Sequence, residues 1–301
     1  MKKVIITGGN GFIGRALVQK LLLAGYQTEI ITKQNQKSDL PVKTHPIGLG
    51  DKEKIKEILN TDVVVIHLAW STVPVTSAID SKNDVISNLP DSLNIIEACV
   101  ENGVSNLLFF SSGGTVYGNP QKLPIDERHP TNPLSPYGID KLMVEKYILM
   151  YSSRFSLPFT ILRVSNAYGF NYRLTKPQGV IGHWVNNLKK GETLELVGEG
   201  NTIRDFIHVD DICNATMLLL EKPSFEIYNL GSQIGFSLKE LFMMLEECLG
   251  RKLKTSRLSE RSFDVSSNVL SIDKIKQHTG WEPLKQLRQE IVKILNKENV
   301  V

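Results

Sequence analysis

A chain of 301 residues that is 41% hydrophobic and 22% charged can bury a sizeable core and is too mixed in composition to be disordered. Its 35 Lys and Arg against 32 Asp and Glu leave a formal charge of +3, which argues against a nucleic-acid or membrane-surface binder and suits a small anionic ligand held by a few arginines. No apolar run approaches the roughly 20 residues of a membrane helix, and Cys99, Cys213 and Cys248 form no CxxC pair, which excludes a disulfide scaffold or a thiolate zinc site.

The apolar start Val4-Ile5-Ile6 reads as a strand and stops at Thr7, too short for a signal peptide, so a cytoplasmic protein with reduced, buried thiols is expected. Ile13, Ala16, Leu17 and Leu21 then recur at helical spacing, with Gly25 as a C-terminal stop. Glu29-Ile30-Ile31 predicts a second strand. Val63–Ile66 and Leu107–Phe110 are the continuous apolar runs of strands buried on both faces, with a helical pattern through Leu93, Ile95, Ile96 and Cys99 between them. This alternation predicts an α/β, Rossmann-like, doubly wound parallel sheet. After about residue 165 the chain becomes richer in Gly, Asn, Pro and charge. Residues 1–165 are therefore expected to form the dinucleotide-binding body, with a return to its sheet around 205–222, and 166–301 mainly a smaller substrate-binding region.

Gly8-Gly9-Asn10-Gly11-Phe12-Ile13-Gly14 lies where the first strand meets the first helix. There Gly8 permits a tight turn, Gly11 lets backbone approach a pyrophosphate, and Gly14 allows close helix–strand packing. The helix N-terminus offers free N–H groups to that anion. No acidic residue stands at Thr32-Lys33, where NAD-binding folds usually carry one for the ribose 2′-hydroxyl. Lys33 either meets the 2′-phosphate of NADP or is an exposed lysine, so NAD and NADP both stay open. Asp51 is read either at the adenine edge or as a helix N-cap ahead of Lys52-Glu53-Lys54.

Tyr137 and Lys141 are four residues apart and share a face of any helix that Pro136 starts. An ammonium beside a phenol favours the phenolate and is expected to lower its pKa, preparing a general acid or base. Ser111-Ser112-Gly113-Gly114-Thr115 follows the Leu107–Phe110 strand at the end where ligands bind in doubly wound folds. His208 with Asp210 and Asp211 carries metal-ligand residue types, but Asp210 reads better as a helix N-cap, and no metal is expected.

Together with Arg204-Asp205-Phe206-Ile207-His208-Val209-Asp210-Asp211 and Thr279-Gly280-Trp281-Glu282-Pro283, these motifs resemble the extended short-chain dehydrogenase/reductases over almost the whole chain, most closely the nucleotide-sugar epimerase/dehydratase branch. The resemblance implies that Gly8, Gly11, Phe12, Ile13 and Gly14 hold the dinucleotide, with Asp51 at adenine, Leu68 and Ala69 lining the pocket, Asn88 at the start of the following helix, and Lys141 on the nicotinamide ribose. It makes Tyr137 the acid/base. Gly113 stands where the family has a serine, so Ser112 or Thr115 would supply the hydroxyl. Asn166, Arg204 and Arg261 would hold the diphosphate of a UDP- or dTDP-hexose, with Leu196 along the nucleobase. The implied activity is a nucleotide-sugar 4-epimerase, with a 4-keto-6-deoxyhexose reductase as the alternative and a non-catalytic dinucleotide sensor behind both. Gly114-Thr115 replaces the acidic pair of the 4,6-dehydratases. A homodimer is expected.

Overall fold

The apolar runs near the N-terminus become the centre of a parallel sheet in a computed structural model that describes residues 2–169, 179–298 and 300. The first part of the chain runs β1 (Lys3–Thr7), α1 (Phe12–Leu23), β2 (Gln27–Thr32), β3 (Lys43–Pro46), α2 (Lys52–Ile58), β4 (Val63–His67), α3 (Pro74–Ile79), α4 (Ser81–Glu101), β5 (Asn106–Ser112), α5 (Pro136–Phe155) and β6 (Phe159–Val164). Then follow β7 (Asn166–Tyr168), α6 (Gly179–Lys190), β8 (Leu194–Val197), β9 (Ile203–His208), α7 (Val209–Glu221) and β10 (Glu226–Leu230). The last elements are β11 (Gly235–Ser237), α8 (Leu238–Leu249), β12 (Thr255–Leu258), β13 (Ser267–Asn268), α9 (Asp273–Thr279) and α10 (Leu287–Lys297).

Among the described residues the large sheet has seven strands in the order β10-β6-β5-β4-β1-β2-β3, and every pairing is parallel. Alternation along each strand splits the core. Val4, Ile6, Leu108 and Phe110 pack with α1 and α7 on one face, while Ile5, Leu107 and Phe109 pack with α4 and α5 on the other. The strand order reverses between β1 and β4, and a ligand crevice opens at such a switch point, outside the carboxyl ends of the strands.

Downstream of β6, β7 leaves this sheet and joins β9, β11 and β13, while β8 pairs with β12. The expected return to the large sheet around 205–222 is made differently. The strand part, β9, stays in the smaller sheet, α7 packs on the face that carries α1, and β10 is the strand that pairs with β6. A buried carboxylate holds β9 there. Asp205 accepts hydrogen bonds from the backbone N–H groups of Ser232 (2.7 Å), Leu270 (3.1 Å) and Gln233 (3.3 Å), all outside the large sheet.

Candidate active site

The glycine loop sits at the strand reversal. Gly8 has φ +74°, and a Cβ there would lie 2.6 Å from the Ala69 backbone nitrogen; at Gly14 it would lie 2.3 Å from the Gly8 carbonyl oxygen. Only bare backbone therefore lets β1, the loop and β4 approach this closely. Gly11 caps α1 and brings no side-chain acceptor to the first-turn N–H groups, and the buried Asn10 amide nitrogen has no hydrogen-bond partner. A concave backbone surface with unspent donors at a helix N-terminus fits a dinucleotide pyrophosphate. Phe12 and Ile13 open α1 and rest half-buried on the core.

The remaining cofactor candidates surround this cradle. The Leu68 N–H donates to the Thr7 carbonyl at 3.1 Å and the Ala69 N–H to the Thr7 hydroxyl at 3.2 Å, which fixes the chain leaving β4 beside the loop. Lys33 is exposed just past β2. Asp51 caps α2: its carboxylate accepts from the Lys54 N–H at 3.3 Å and pairs with the Lys54 ammonium, contacts that hold it below the usual carboxylate range. Asn88 does not begin a helix as expected. The helix α4 starts at Ser81, capped by Asp80, so Asn88 lies two turns inside, where its Oδ1 accepts from the Ser71 N–H at 2.8 Å and its amide donates to Asp84.

The reaction centre is built on α5. Ser135 caps this helix by accepting from the Gly138 N–H at 3.1 Å, and Pro136 occupies its first turn. Tyr137 and Lys141 consequently project on one side, toward the end of β5. The Ser112 hydroxyl faces the Tyr137 phenol and favours its ionised form. The Thr115 hydroxyl donates instead to the Ser112 carbonyl at 3.5 Å. The family's serine has no room at Gly113, where a Cβ would lie 2.5 Å from the Leu270 side chain and 2.8 Å from the Arg163 carbonyl.

Lys141 is buried. Its ammonium donates to the Phe110 carbonyl at 2.8 Å and stands 3.8 Å from the centroid of the Trp70 ring, a cation–π contact. The simple expectation that this lysine lowers the tyrosine pKa does not describe the balance of forces. Burial pushes Tyr137 up to about 12, with the Asp84 carboxylate adding to the effect, and burial pulls Lys141 down to about 7 against the opposing pull of Glu145 and Asp84. Desolvation acts against the charged form of each group and is the largest cause of each shift. Beneath them His67 is buried, bonded to the Thr7 hydroxyl at 2.7 Å and the Ser92 hydroxyl at 3.0 Å, and burial followed by the charge of Lys141 pushes it down to about 3.

On the other side of the crevice, Asn166 opens β7 and donates to the Asp205 carbonyl at 3.0 Å. Arg204, on β9, spends Nη1 on the carbonyls of Ile203 (2.9 Å) and Val265 (2.8 Å), and burial lowers its pKa against the attraction of Asp264. Arg261 is half-buried in the turn that follows β12, its carbonyl accepting from the Asp264 N–H at 3.0 Å, so both arginines are tied to one loop. Leu196 is buried on β8 beneath the Gly200 turn. The cap of α7 is His208, whose Nδ1 accepts from the Asp210 N–H at 3.2 Å; Asp210 sits in the first turn because β9 runs into α7 without a loop. Among the described residues no group of three or more His, Cys, Asp or Glu is arranged to hold a metal.

Several residues of the centre escaped the sequence reading. Glu145 continues the spacing of Tyr137 and Lys141 by one more turn, so its place on their face was available from periodicity. Asp84, Asp140 and Arg163 carry no local signal, because each reaches the centre from another element or through a neighbour distant in sequence.

A doubly wound sheet with a glycine cradle at its strand reversal and a Tyr–Lys pair beside it defines a dinucleotide-dependent enzyme of the short-chain type. The chain belongs to the NAD dependent epimerase/dehydratase family, whose model matches residues 4–231. A putative UDP-glucose 4-epimerase of Methanocaldococcus jannaschii is 33% identical, over 97% of each chain. The dTDP-4-dehydro-6-deoxyglucose reductase of Escherichia coli is 29% identical over 97% of this chain and 96% of its own. The crystal structure of the Thermus thermophilus UDP-glucose 4-epimerase in complex with NAD superposes with a TM-score of 0.90 at 30% identity, covering 99% of both chains.

Proposed function

We propose that the chain is an NAD-dependent nucleotide-diphosphate-sugar 4-epimerase with Tyr137 as its acid/base. The observation that carries this reading is the Tyr137 phenol facing Ser112, one helical turn from buried Lys141, beside the Gly8–Gly14 cradle. NAD, when bound, supplies reversible hydride acceptance at the sugar C4. Gly8, Gly11 and Gly14 with the N-terminus of α1 would hold its pyrophosphate, and Leu68 and Ala69 its other wall. Tyr137 takes the C4 hydroxyl proton as the alcohol is oxidised and returns it once the 4-keto sugar has turned over. Ser112 orients the phenol and bonds to the sugar oxygen as its charge develops. Lys141 stabilises the phenolate when it is charged, and the Trp70 ring favours that charged form. Arg204, Arg261 and Asn166 would keep the diphosphate in place while the hexose rotates.

The test is turnover of UDP-glucose to UDP-galactose with no added reductant. Tyr137→Phe should lose that turnover and keep dinucleotide binding; unchanged turnover removes Tyr137 from the role. A 4-keto-6-deoxyhexose reductase is the second reading, favoured by exposed Lys33 in place of an acidic residue at the end of β2 and by the reductase relative. Stoichiometric NADPH oxidation by a dTDP-4-keto-6-deoxyhexose, with no epimerisation of UDP-glucose, would replace the first reading with this one. Retention of the Tyr137–Lys141 pair disfavours a non-catalytic sensor.

The free cysteines support work in the reducing cytoplasm, and no described helix is long and apolar enough to cross a membrane. Exposed Ile79 and Ile86, at 81% and 59% exposure, and Ile139 on α5 support a homodimer through the α3–α5 face.

A further inference from the structure

Two carboxylic side chains meet in the dry space beside the Tyr–Lys pair. Asp84, on α4, is 0% exposed and Asp140, on α5, is 1% exposed. Each has its Oδ2 buried with no hydrogen-bond partner, and the Asp84 carboxyl is near enough to act on that of Asp140. Two carboxylates cannot hydrogen-bond without a proton between them, and two bare charges in a site with this little water repel strongly. The other oxygen of Asp84 is satisfied: its Oδ1 accepts from the Thr72 hydroxyl and, at 2.9 Å, from the Asn88 amide. Asn88 in turn holds the Ser71 N–H at 2.8 Å, so the network fixes the segment that carries Trp70 over Lys141.

We propose that Asp84 and Asp140 share one proton and act as a positioning pair for the Tyr137–Lys141 centre. The shared proton joins α4 to α5 and limits the pair to one negative charge. That charge lies close enough to both Tyr137 and Lys141 to act on them. A single charge helps to keep Lys141 an ammonium and raises the phenol pKa moderately; loss of the shared proton doubles the charge and makes the phenolate harder to form. The groups facing the pair are few. From α5 come Tyr137 and Lys141, with Glu145 one turn beyond. Segment 68–73 and α3 contribute neutral side chains, including Ser77, whose hydroxyl accepts from the Tyr137 N–H at 3.1 Å. Asp91, further along α4, lies instead beside Lys33 and Gly50.

Burial, and then the facing Asp84 carboxylate, pushes Asp140 up to about 6. The infrared spectrum of the whole enzyme, recorded without substrate, should therefore show the carbonyl band of a protonated carboxyl on the acid side of about pH 6, disappearing on the alkaline side. Asp140→Asn and Asp84→Asn should each remove the band while retaining the fold, because a carboxamide can donate to the remaining carboxylate at every pH. A wild-type spectrum without the band, or a band unchanged in both variants, overturns the shared proton. The positioning role rests on the proposed epimerase reading and is tested separately. In Asp140→Asn one carboxylate charge is removed above about pH 6, so the acid limb of the kcat/KM profile should move down by about one pH unit. An unshifted limb in the folded Asn variant overturns the link to Tyr137. A wild-type enzyme that epimerises no UDP-sugar would overturn the function and leave the infrared result standing.

Discussion

One helix carries two buried ionic centres with opposite characters. At the start of α5, Tyr137, Asp140 and Lys141 are packed against Trp70 and Asp84, with two carboxylate oxygens lacking ordinary donors and with proton affinities displaced from their usual values. One turn further, Glu145 receives Arg163 in a fork, with Nη2 to Oε2 at 2.7 Å and Nε to Oε1 at 3.1 Å, and also accepts from the Ser111 hydroxyl. Arg163 Nη1 donates to the Tyr117 hydroxyl at 3.0 Å, and that hydroxyl donates to Asn229 at 2.6 Å. Burial works against the charge on Arg163, but the bonds to Glu145 outweigh it and hold the guanidinium above its ordinary value. A fully satisfied buried pair resists change of protonation, whereas a partly satisfied one is ready for it. The first turns of α5 are thus suited to moving protons and the next to holding α5 on β6.

Substitutions on the two sides should separate activity from stability. The largest effect is expected at Tyr137: Tyr137→Phe should reduce kcat by about 10²–10⁴-fold with little change in melting temperature, measured by turnover and thermal unfolding. Glu145→Gln should act chiefly on stability. Leaving Arg163 buried against a neutral partner should cost about 3–5 kcal/mol of stability in a denaturant titration, with the residual folded enzyme still turning over.

His67 lies between these extremes, satisfied by hydrogen bonds yet neutral. Its folded pKa of about 3 is below the ordinary 6.5. The unfolded chain therefore takes up a proton that the folded chain refuses. The contribution is present in full above about pH 6.5 and is lost as pH falls toward about 3, roughly 2 kcal/mol of it by about pH 5. His67→Gln should flatten that part of the stability–pH curve, and an unchanged curve would assign the acid sensitivity elsewhere. The smallest effect is expected for Trp70→Leu. Removing the ring from Lys141 should lower the lysine pKa by about one unit, read from the pH dependence of lysine modification, while the Glu145–Arg163 side is unaffected.

Much of the site was readable because its signals are local. The loop from Gly8 to Gly14 follows an apolar strand directly, Gly25 follows the last buried turn of α1, and Tyr137 and Lys141 need only the period of a helix to share a face. The alternation of α and β segments likewise sufficed for the doubly wound sheet, since strands buried on both faces must be continuously apolar. Asn88 lies deeper in its helix than the motif implies because α4 begins two turns earlier, at Ser81, where Asp80 caps it by accepting from the Asn83 N–H.

Sequence alone determined the cradle, the Tyr–Lys spacing and the class of fold, each a matter of residues within a few turns of one another. Tertiary structure decided the rest. Ser112 rather than Thr115 faces Tyr137 because of how the turn after β5 folds, and Gly113 is bare because Leu270 and the Arg163 backbone fill the space beside it. The chain leaves the large sheet after β6, and β9 stays outside it because Asp205 finds its donors in distant loops, so that only β10 returns. Packing also turned the expected pKa relation around, since in a buried centre each charge must first overcome its own desolvation.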